Sequence, residues 1–267
     1  MDKIKKQLLL EPNTAIGKWI IFIVMFVAIV WSGSTIDFTA GTGNGSIIAR
    51  NIFLGIFQPD TGLLFDWQNG VPFLILETLA IAFVGTLVGS IVAVPFAFLS
   101  SQNVVGKIIS YITSLIIMAI RTVPVFVYGL MFIRVTGPGP FAGLLTMAIA
   151  SLGMMSKLFA ETIEELDTGI LESLDAAGCN RFEKIRYGII PQLSPDFLST
   201  VIYRFDMNIR DVAVLGLVGA GGIGAPLIFA MNSHRWNEAG SILIGLIILV
   251  LIIEYFSTKV RNKLTRG

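Results

Sequence analysis

Cysteine and histidine are nearly absent: the 267 residues hold one of each, Cys179 and His234. A single cysteine closes no internal disulfide, and one thiol with one imidazole cannot supply the sulfur and nitrogen ligand sets that hold zinc. For the same reason the thiols do not report a redox compartment. Charge is scarce as well: 14% of residues are charged, against about a quarter in soluble domains. The net charge of +1 lacks the clustered basic excess a nucleic-acid partner demands. What remains is apolar, with 54% hydrophobic residues and a mean hydropathy of +0.80. Such a chain belongs in a bilayer rather than in water.

A helical span needs roughly 20 apolar residues, and six apolar runs approach or exceed that length. They cover Trp19 to Trp31 or slightly beyond, Pro72 to Leu99, Lys107 to Ile133, Phe141 to about Leu158, Pro195 to about Leu217, and Ala239 to Phe256. The expected fold is therefore all-α, a polytopic membrane bundle of about six transmembrane helices. The first run follows a basic head of Lys3, Lys5 and Lys6, the order seen in a cleaved signal peptide. Pro12 and Lys18 intervene and no small-residue cleavage site follows, which favours a retained span. Three stretches result: an amino-terminal segment 1–18, a first span with its loop 19–70, and a membrane core 71–267 containing a polar loop at 161–192.

Lysine and arginine in short loops set orientation. With the amino terminus inside, the inner side carries Lys3, Lys5, Lys6, Lys107, Lys157, Arg181, Lys184, Arg186, Lys259, Arg261, Lys263 and Arg266, and the outer side only Arg50, Arg134 and Arg235. Both termini are expected to be cytoplasmic. The outer loop Gly33 to Gly70 contains an apolar piece, Ile47 to Phe57, expected to form a short interfacial helix.

The loop before the fifth run is abruptly polar, with Glu161, Glu164, Glu165, Asp167, Glu172, Asp175, Arg181, Glu183, Lys184 and Arg186. It reads as two short helices. Leu171 to Ala177 ends at Gly178, a fitting left-handed cap, and Asn180 with Glu183 can cap the next helix. Pro191 is expected to end that helix, and Ser194-Pro195-Asp196 to start the fifth span as N-cap, N1 proline and early acid. Helices below about 12 to 15 residues are marginal alone in water, so a docking partner is implied.

The spacing Glu172-Ser173-Leu174, three residues, Gly178, nine residues, Gly188-Ile189-Ile190-Pro191 resembles the cytoplasmic loop of ABC importer permeases. Their pattern is Glu-Ala-Ala, three residues, Gly, nine residues, Ile, any residue, Leu-Pro. Ser173, Leu174 and Gly188 depart from it, and Ile190 replaces leucine by a near isostere. The stretches GPGPFAGLLTMAIASLGMMSKLFAETIEEL (Gly137 to Leu166) and YRFDMNIRDVAVLGLVGAGGIG (Tyr203 to Gly224) resemble the phosphonate-type permeases of these binding-protein-dependent transporters, whose fold is the type I importer permease. Methionine-type importers share the glycine-rich stretch and the loop. The resemblance implies that Glu172, Ser173, Leu174, Asp175, Ala176, Ala177, Gly178 and Pro191 couple the chain to an ATPase subunit. It also implies an assembly of two copies of this chain, two ATP-binding subunits and one extracytoplasmic substrate-binding protein, moving its cargo by alternating access. ATP and Mg would sit on the partner ATPase, and the location that the resemblance implies is the bacterial inner (cytoplasmic) membrane. The chain itself has no phosphate-binding loop, since GLVGAGGIG (Gly216 to Gly224) lacks the Lys-Ser/Thr and follows a span rather than a strand.

Ionisable residues inside spans cost at least about 2.5 to 3.5 kcal/mol at a helix centre and mark function by default. Arg121 stands in the third run, and Arg204, Asp206, Arg210 and Asp211 in the fifth. Asp206 and Arg210 can pair at i, i+4, while Arg204, Asn208 and Asp211 share another face. Two readings stay open for them: neutralised glue between helices, or an oxyanion path built from Arg121, Arg204, Asn208, Arg210 and Asp211. For Arg121 the rival is pairing with Asp206 or Asp211, and Pro124 should disrupt its helix nearby. Gly219, Gly221, Gly222 and Gly224 suit either a gate or binding-protein rim, or close helix packing. Pro95 reads as a kink, Glu77 as a helix-end acid, His234 as solvated and Cys179 as a packing residue. Rival classes are an amino-acid importer of the same architecture, a secondary transporter, for which repeated halves are missing, and an intramembrane enzyme, for which no nucleophile and base set is evident.

Overall fold

A computed structural model describes residues 14–35 and 45–266. The basic head with Lys3, Lys5 and Lys6, and residues 36–44 of the first loop, lie outside them. Among the described residues every regular element is helical. The chain divides into two compact units, Met1–Ala49 and Arg50–Gly267. The first holds α1, Thr14–Thr35, apolar and of membrane-spanning length from Gly17 onward.

The apolar piece Ile47 to Phe57 is helical, within α2 (Gly45–Phe57), of which the part from Arg50 on belongs to the second unit. The absent Cβ of Gly55 would meet the backbone of Trp236, so only glycine fits there. The frame is a parallel pair, α3 (Val71–Ser100) and α6 (Pro140–Glu164), in contact from Ile81 beside Gly143 at one end to Ser101 beside Ala160 at the other. They meet along small residues: a Cβ on Gly89 would lie 2.6 Å from the Ala148 carbonyl oxygen and from Ser151 Cβ. In a bilayer, where hydrophobic burial no longer drives association, such close backbone approach is what holds helices together. Pro95 lies inside α3, which continues through it.

Between α3 and α6 the chain forms α4 (Lys107–Thr122) and α5 (Val125–Thr136), bent by 81° at Val123-Pro124. Proline removes a backbone donor and disfavours helix in the residue before it, and Val123 is accordingly extended. The single expected third span is thus a broken one. Its two ends are pinned to opposite ends of the bundle. Ser110 Oγ donates to the Ser100 carbonyl, whereas the Gly139 N–H, just beyond α5, donates to the Gly219 carbonyl at 2.8 Å.

After α6, which runs past the expected end at Leu158 to Glu164, comes α7 (Thr168–Ala176), then a helical turn Arg181–Glu183, a π-turn Lys184–Ile189, and α8 (Ile190–Leu215). Neither proline has the role expected of it. Pro191 does not end a helix, and Ser194-Pro195-Asp196 does not start one; α8 begins at Ile190 and Pro195 is internal. The π-turn explains this. Ile190 N–H bonds Ile185 O, five residues back, and the widened turn accommodates a residue that lacks an N–H and crowds the carbonyl four before it.

At 26 residues α8 is about 39 Å long, enough to cross a membrane. By length and composition, however, four helices pass as spans, α1, α3, α6 and the last helix, from Trp236 on, or five counting the bent pair as one. The polar residues of α8 set it apart. It leads through a 3-10 turn, Gly216–Val218, to α9 (Gly224–Asn232) and then α10 (Trp236–Arg266). The core has three parts. One gathers Phe159, Ile163, Ile189 and Leu193 at the α7 end; one gathers Ile81, Met147, Ile209 and Leu215 in the middle; one gathers Val71, Leu74, Ile223 and Ile242 at the glycine end.

Candidate functional site

The polar groups expected to line one path fall into three places. The first is buried where α3, α6 and α8 meet. Arg204 is 4% exposed and Asn208 fully buried. The Asn208 amide donates 2.7 Å bonds to Thr86 Oγ1 and Ser151 Oγ, and Asn208 Oδ1 has no hydrogen-bond partner among the described residues. Thr86 and Ser151 lie near the midpoints of α3 and α6. Arg204 is thinly served for a group with five donors. Its Nε reaches Ser151 Oγ at 3.4 Å, Nη1 the Met154 sulfur at 3.3 Å, and Nη2 the half-buried Asp211 carboxylate at 3.6 Å. Thr86 and Ser151 were not singled out from sequence; their signal was isolated hydroxyls beside Gly85 and within the small-residue run of α6.

The second place faces α10. Arg210 Nη2 bonds Asp206 Oδ2 at 2.9 Å, with Glu254 Oε2 at 3.5 Å from the same nitrogen. A cavity of about 200 Å³ here is lined by Tyr203, Asp206, Arg210, Glu254, Ser257 and Arg261 among others. Arg261 stacks near the Tyr203 ring, 5.7 Å from its centroid. Glu254 was legible only as part of the last span, and Arg261 only as one of the inner-side tail cations. The split of α8 into an Arg204/Asn208/Asp211 face and an Asp206/Arg210 face follows the helical period.

The third place belongs to Arg121. Its stem packs against Gly153, whose Cβ would lie 3.0 Å from Arg121 Cγ. Ser151 and Met154, which touch Arg204, lie on the other side of α6, so this helix separates the two arginines within one chain. Arg121 pairs with neither Asp206 nor Asp211, and has no ion-pair partner among the described residues. It opens on a cavity of about 240 Å³ with Ser100, Ser110, Ser114, Lys157 and Glu164, where Lys157 pairs with Glu161 at 3.3 Å.

At one end of the bundle lies the polar loop. Asp167 caps α7 by accepting from Gly169 N–H at 2.9 Å. The helix closes on Gly178 at φ +80°, with Cys179 N–H returning to Leu174 O at 3.0 Å and Gly178 N–H to Asp175 O at 2.9 Å. Asn180 and Glu183 then exchange caps, Glu183 N–H to Asn180 Oδ1 at 2.9 Å and Asn180 N–H to Glu183 Oε2 at 2.7 Å. Lys184 Nζ pairs with Asp175 across the hairpin. Glu172, Ser173, Ala176 and Ala177 are exposed, Cys179 half-buried, and Pro191 lies in the first turn of α8, just after the π-turn.

At the other end the glycine stretch is wedged between helices. Gly219, Gly221 and Gly222 have φ of +91°, +80° and +74°, a region that favours glycine. A Cβ on Gly221 would lie 2.8 Å from Pro140 Cα, and one on Gly224 would strike the Ala213 carbonyl. Ile223 N–H donates to Thr78 Oγ1 at 2.9 Å. Glu77 Oε1 also borders this loop, 3.1 Å from the Gly221 Cβ position. His234 is exposed beside Trp236.

A family described as binding-protein-dependent transport system inner membrane component matches residues 93–258. The chain is 31% identical over 189 residues to the phosphite transport system permease protein PtxC of Stutzerimonas stutzeri, covering 70% of this chain and 69% of that one. It is 32% identical over 189 residues to the phosphate-import permease protein PhnE of Mycolicibacterium smegmatis, covering 70% of this chain and 36% of that protein. An inward-facing structure of the MetNI methionine ABC transporter shares the fold, with TM-score 0.62, 22% identity, and coverage of 71% of this chain and 94% of that one.

Proposed function

The chain belongs to the family of binding-protein-dependent transport system inner membrane components, and on that premise we propose that it is the membrane-spanning permease of an ATP-driven importer for a phosphorus oxyanion: phosphonate, phosphite or phosphate. The names of PtxC and PhnE support the cargo class. The observation that carries it is Arg204: a buried guanidinium at mid-bundle, whose carboxylate neighbour stands at 3.6 Å and whose other contacts are long. Such a group can trade a loose carboxylate for a passing oxyanion without trapping it, and weak binding is what a path requires.

Two copies would form the path, each crossing the membrane six times with both termini inside. α8 then crosses as the fifth span, its charges turned toward partners or the path rather than lipid. α7 docks on an ATPase subunit that carries ATP and Mg, and an extracytoplasmic protein delivers the anion. Closure of the ATPases pulls the α7 helices together and opens the pair outward; hydrolysis lets it return inward. Arg121, across α6 from Arg204, would serve the same cargo at a separate level of the path, and Arg210 a third position.

The test is ATP-dependent uptake into proteoliposomes holding this chain, its ATPase and its binding protein, with phosphite, methylphosphonate, phosphate and methionine offered in turn. Uptake of a phosphorus oxyanion is expected, and Arg204→Gln should lower it about tenfold, the effect of some 1.4 kcal/mol, with affinity of the isolated binding protein unchanged. Uptake of methionine alone would replace the reading with an amino-acid importer. Full transport by Arg204→Gln would return that arginine to helix packing.

A further inference from the structure

We infer that Leu174 and Asp175 do not face the ATPase: they position α7 on the foot of α8, with Leu174 filling the space that Gly188 leaves open. Leu174 Cδ1 lies 2.6 Å from where a Cβ of residue 188 would stand, and Ile170 Cγ2 lies 3.9 Å from the same point. Ile170 and Leu174 are one helical turn apart and so share a face of α7. Glu172 and Ala176, also four apart, fall on the opposite face and are exposed. Gly188 is buried. Asp175, its side chain 61% exposed, is held by Lys184, whose side chain is 21% exposed, at the start of the same π-turn that carries Gly188. Two independent contacts, one apolar and one ionic, thus tie α7 to the segment leading directly into α8.

Two of the three departures from the importer pattern meet at this contact. Where that pattern has alanine and isoleucine, this chain has Leu174 and Gly188. The bulk has moved from the later position to the earlier one, and the summed volume across the contact is nearly kept. Volume-conserving exchanges are the ones packed sites tolerate. The consequence concerns transmission: a push on the exposed face of α7 reaches α8, and with it Arg204, without slack in the hairpin. The ATPase-facing surface narrows to Glu172, Ser173, Ala176 and Ala177.

The inference rests on α7 being the docking helix. Its test is a cycle of Gly188→Ile, Leu174→Ala and the double variant, each purified with the ATPase and read as anion transported per ATP hydrolysed. Alanine at 188 is too mild a probe, because the tip of Leu174 can rotate away; isoleucine cannot be absorbed that way. Gly188→Ile is expected to lower the ratio roughly tenfold, and the double variant to recover most of it, since directly touching residues couple strongly. A merely destabilising change would lower the yield of complex while leaving the ratio intact, so yield is measured alongside. A double variant no better than Gly188→Ile, or a Gly188→Ile protein with the full ratio, overturns the packing pair alone. Failure of the unaltered chain to copurify with its ATPase overturns the docking role as well.

Discussion

The two ends of the bundle are held by opposite means. At the α7 end side chains do the holding: the Asn180–Glu183 capping exchange, the Asp175–Lys184 pair and the Leu174 tip over Gly188. At the other end the absence of side chains does it, with Gly221 and Gly224 letting backbone approach Pro140 and Ala213, and Gly219 and Gly222 taking left-handed turns beside Pro138 and Thr78. Contacts between side chains are adjustable, and exposed polar ones exchange with water at little cost. Backbone contacts admit almost no adjustment, because carbonyls and Cα atoms cannot rotate aside. The α7 end thus receives force through side-chain contacts that single substitutions can retune, and the glycine end keeps the helices in register through backbone contacts that cannot shift.

Three substitutions test that contrast. The largest effect is expected for Gly224→Val, whose branched side chain would be driven into the Ala213 carbonyl. A loss above about 4 kcal/mol, in the range reserved for severe overpacking or strain, should appear as failure to recover monodisperse protein. A well-folded Gly224→Val protein would end the claim of rigidity. Next comes Thr78→Val, which removes the acceptor of the Ile223 N–H and leaves a buried donor unpaired. It should cost about 1 to 3 kcal/mol, read as a lowered unfolding temperature in detergent, with no change in ATPase binding. The smallest is Asn180→Ala at the other end, which removes the acceptor for Glu183 N–H and should cost about 0.5 to 2 kcal/mol. That loss should stay local, seen as faster hydrogen exchange between Asp167 and Ile190 and unaltered global unfolding. Global destabilisation by Asn180→Ala would show that the two ends are not independent.

Much of this was legible in the chain before any coordinate. Long apolar runs mark helices because a bilayer offers backbone groups no other partner, and the Gly178 and Asn180–Glu183 caps are local grammar that needs only a few neighbouring residues. The Asp206–Arg210 pair follows from helical spacing. Less legible were the prolines. Pro191 and Pro195 read as boundaries because proline opposes helix locally, yet the π-turn, supported by the packing of Ile189 and Leu193 against Phe159 and Ile163, carries the helix past both. Pro124 was read correctly as a disruption, but not as an 81° bend.

The sequence by itself determined the solvent, the helical class, the caps and the periodic faces of α8, since each depends on composition or on residues within a few positions of one another. Only the tertiary structure decided that α6 stands between Arg121 and Arg204, that Asn208 finds Thr86 and Ser151, and that Leu174 meets Gly188. These are contacts between segments distant in the chain or folded back on each other. Their existence depends on the angle and depth at which helices cross, which no local spacing encodes.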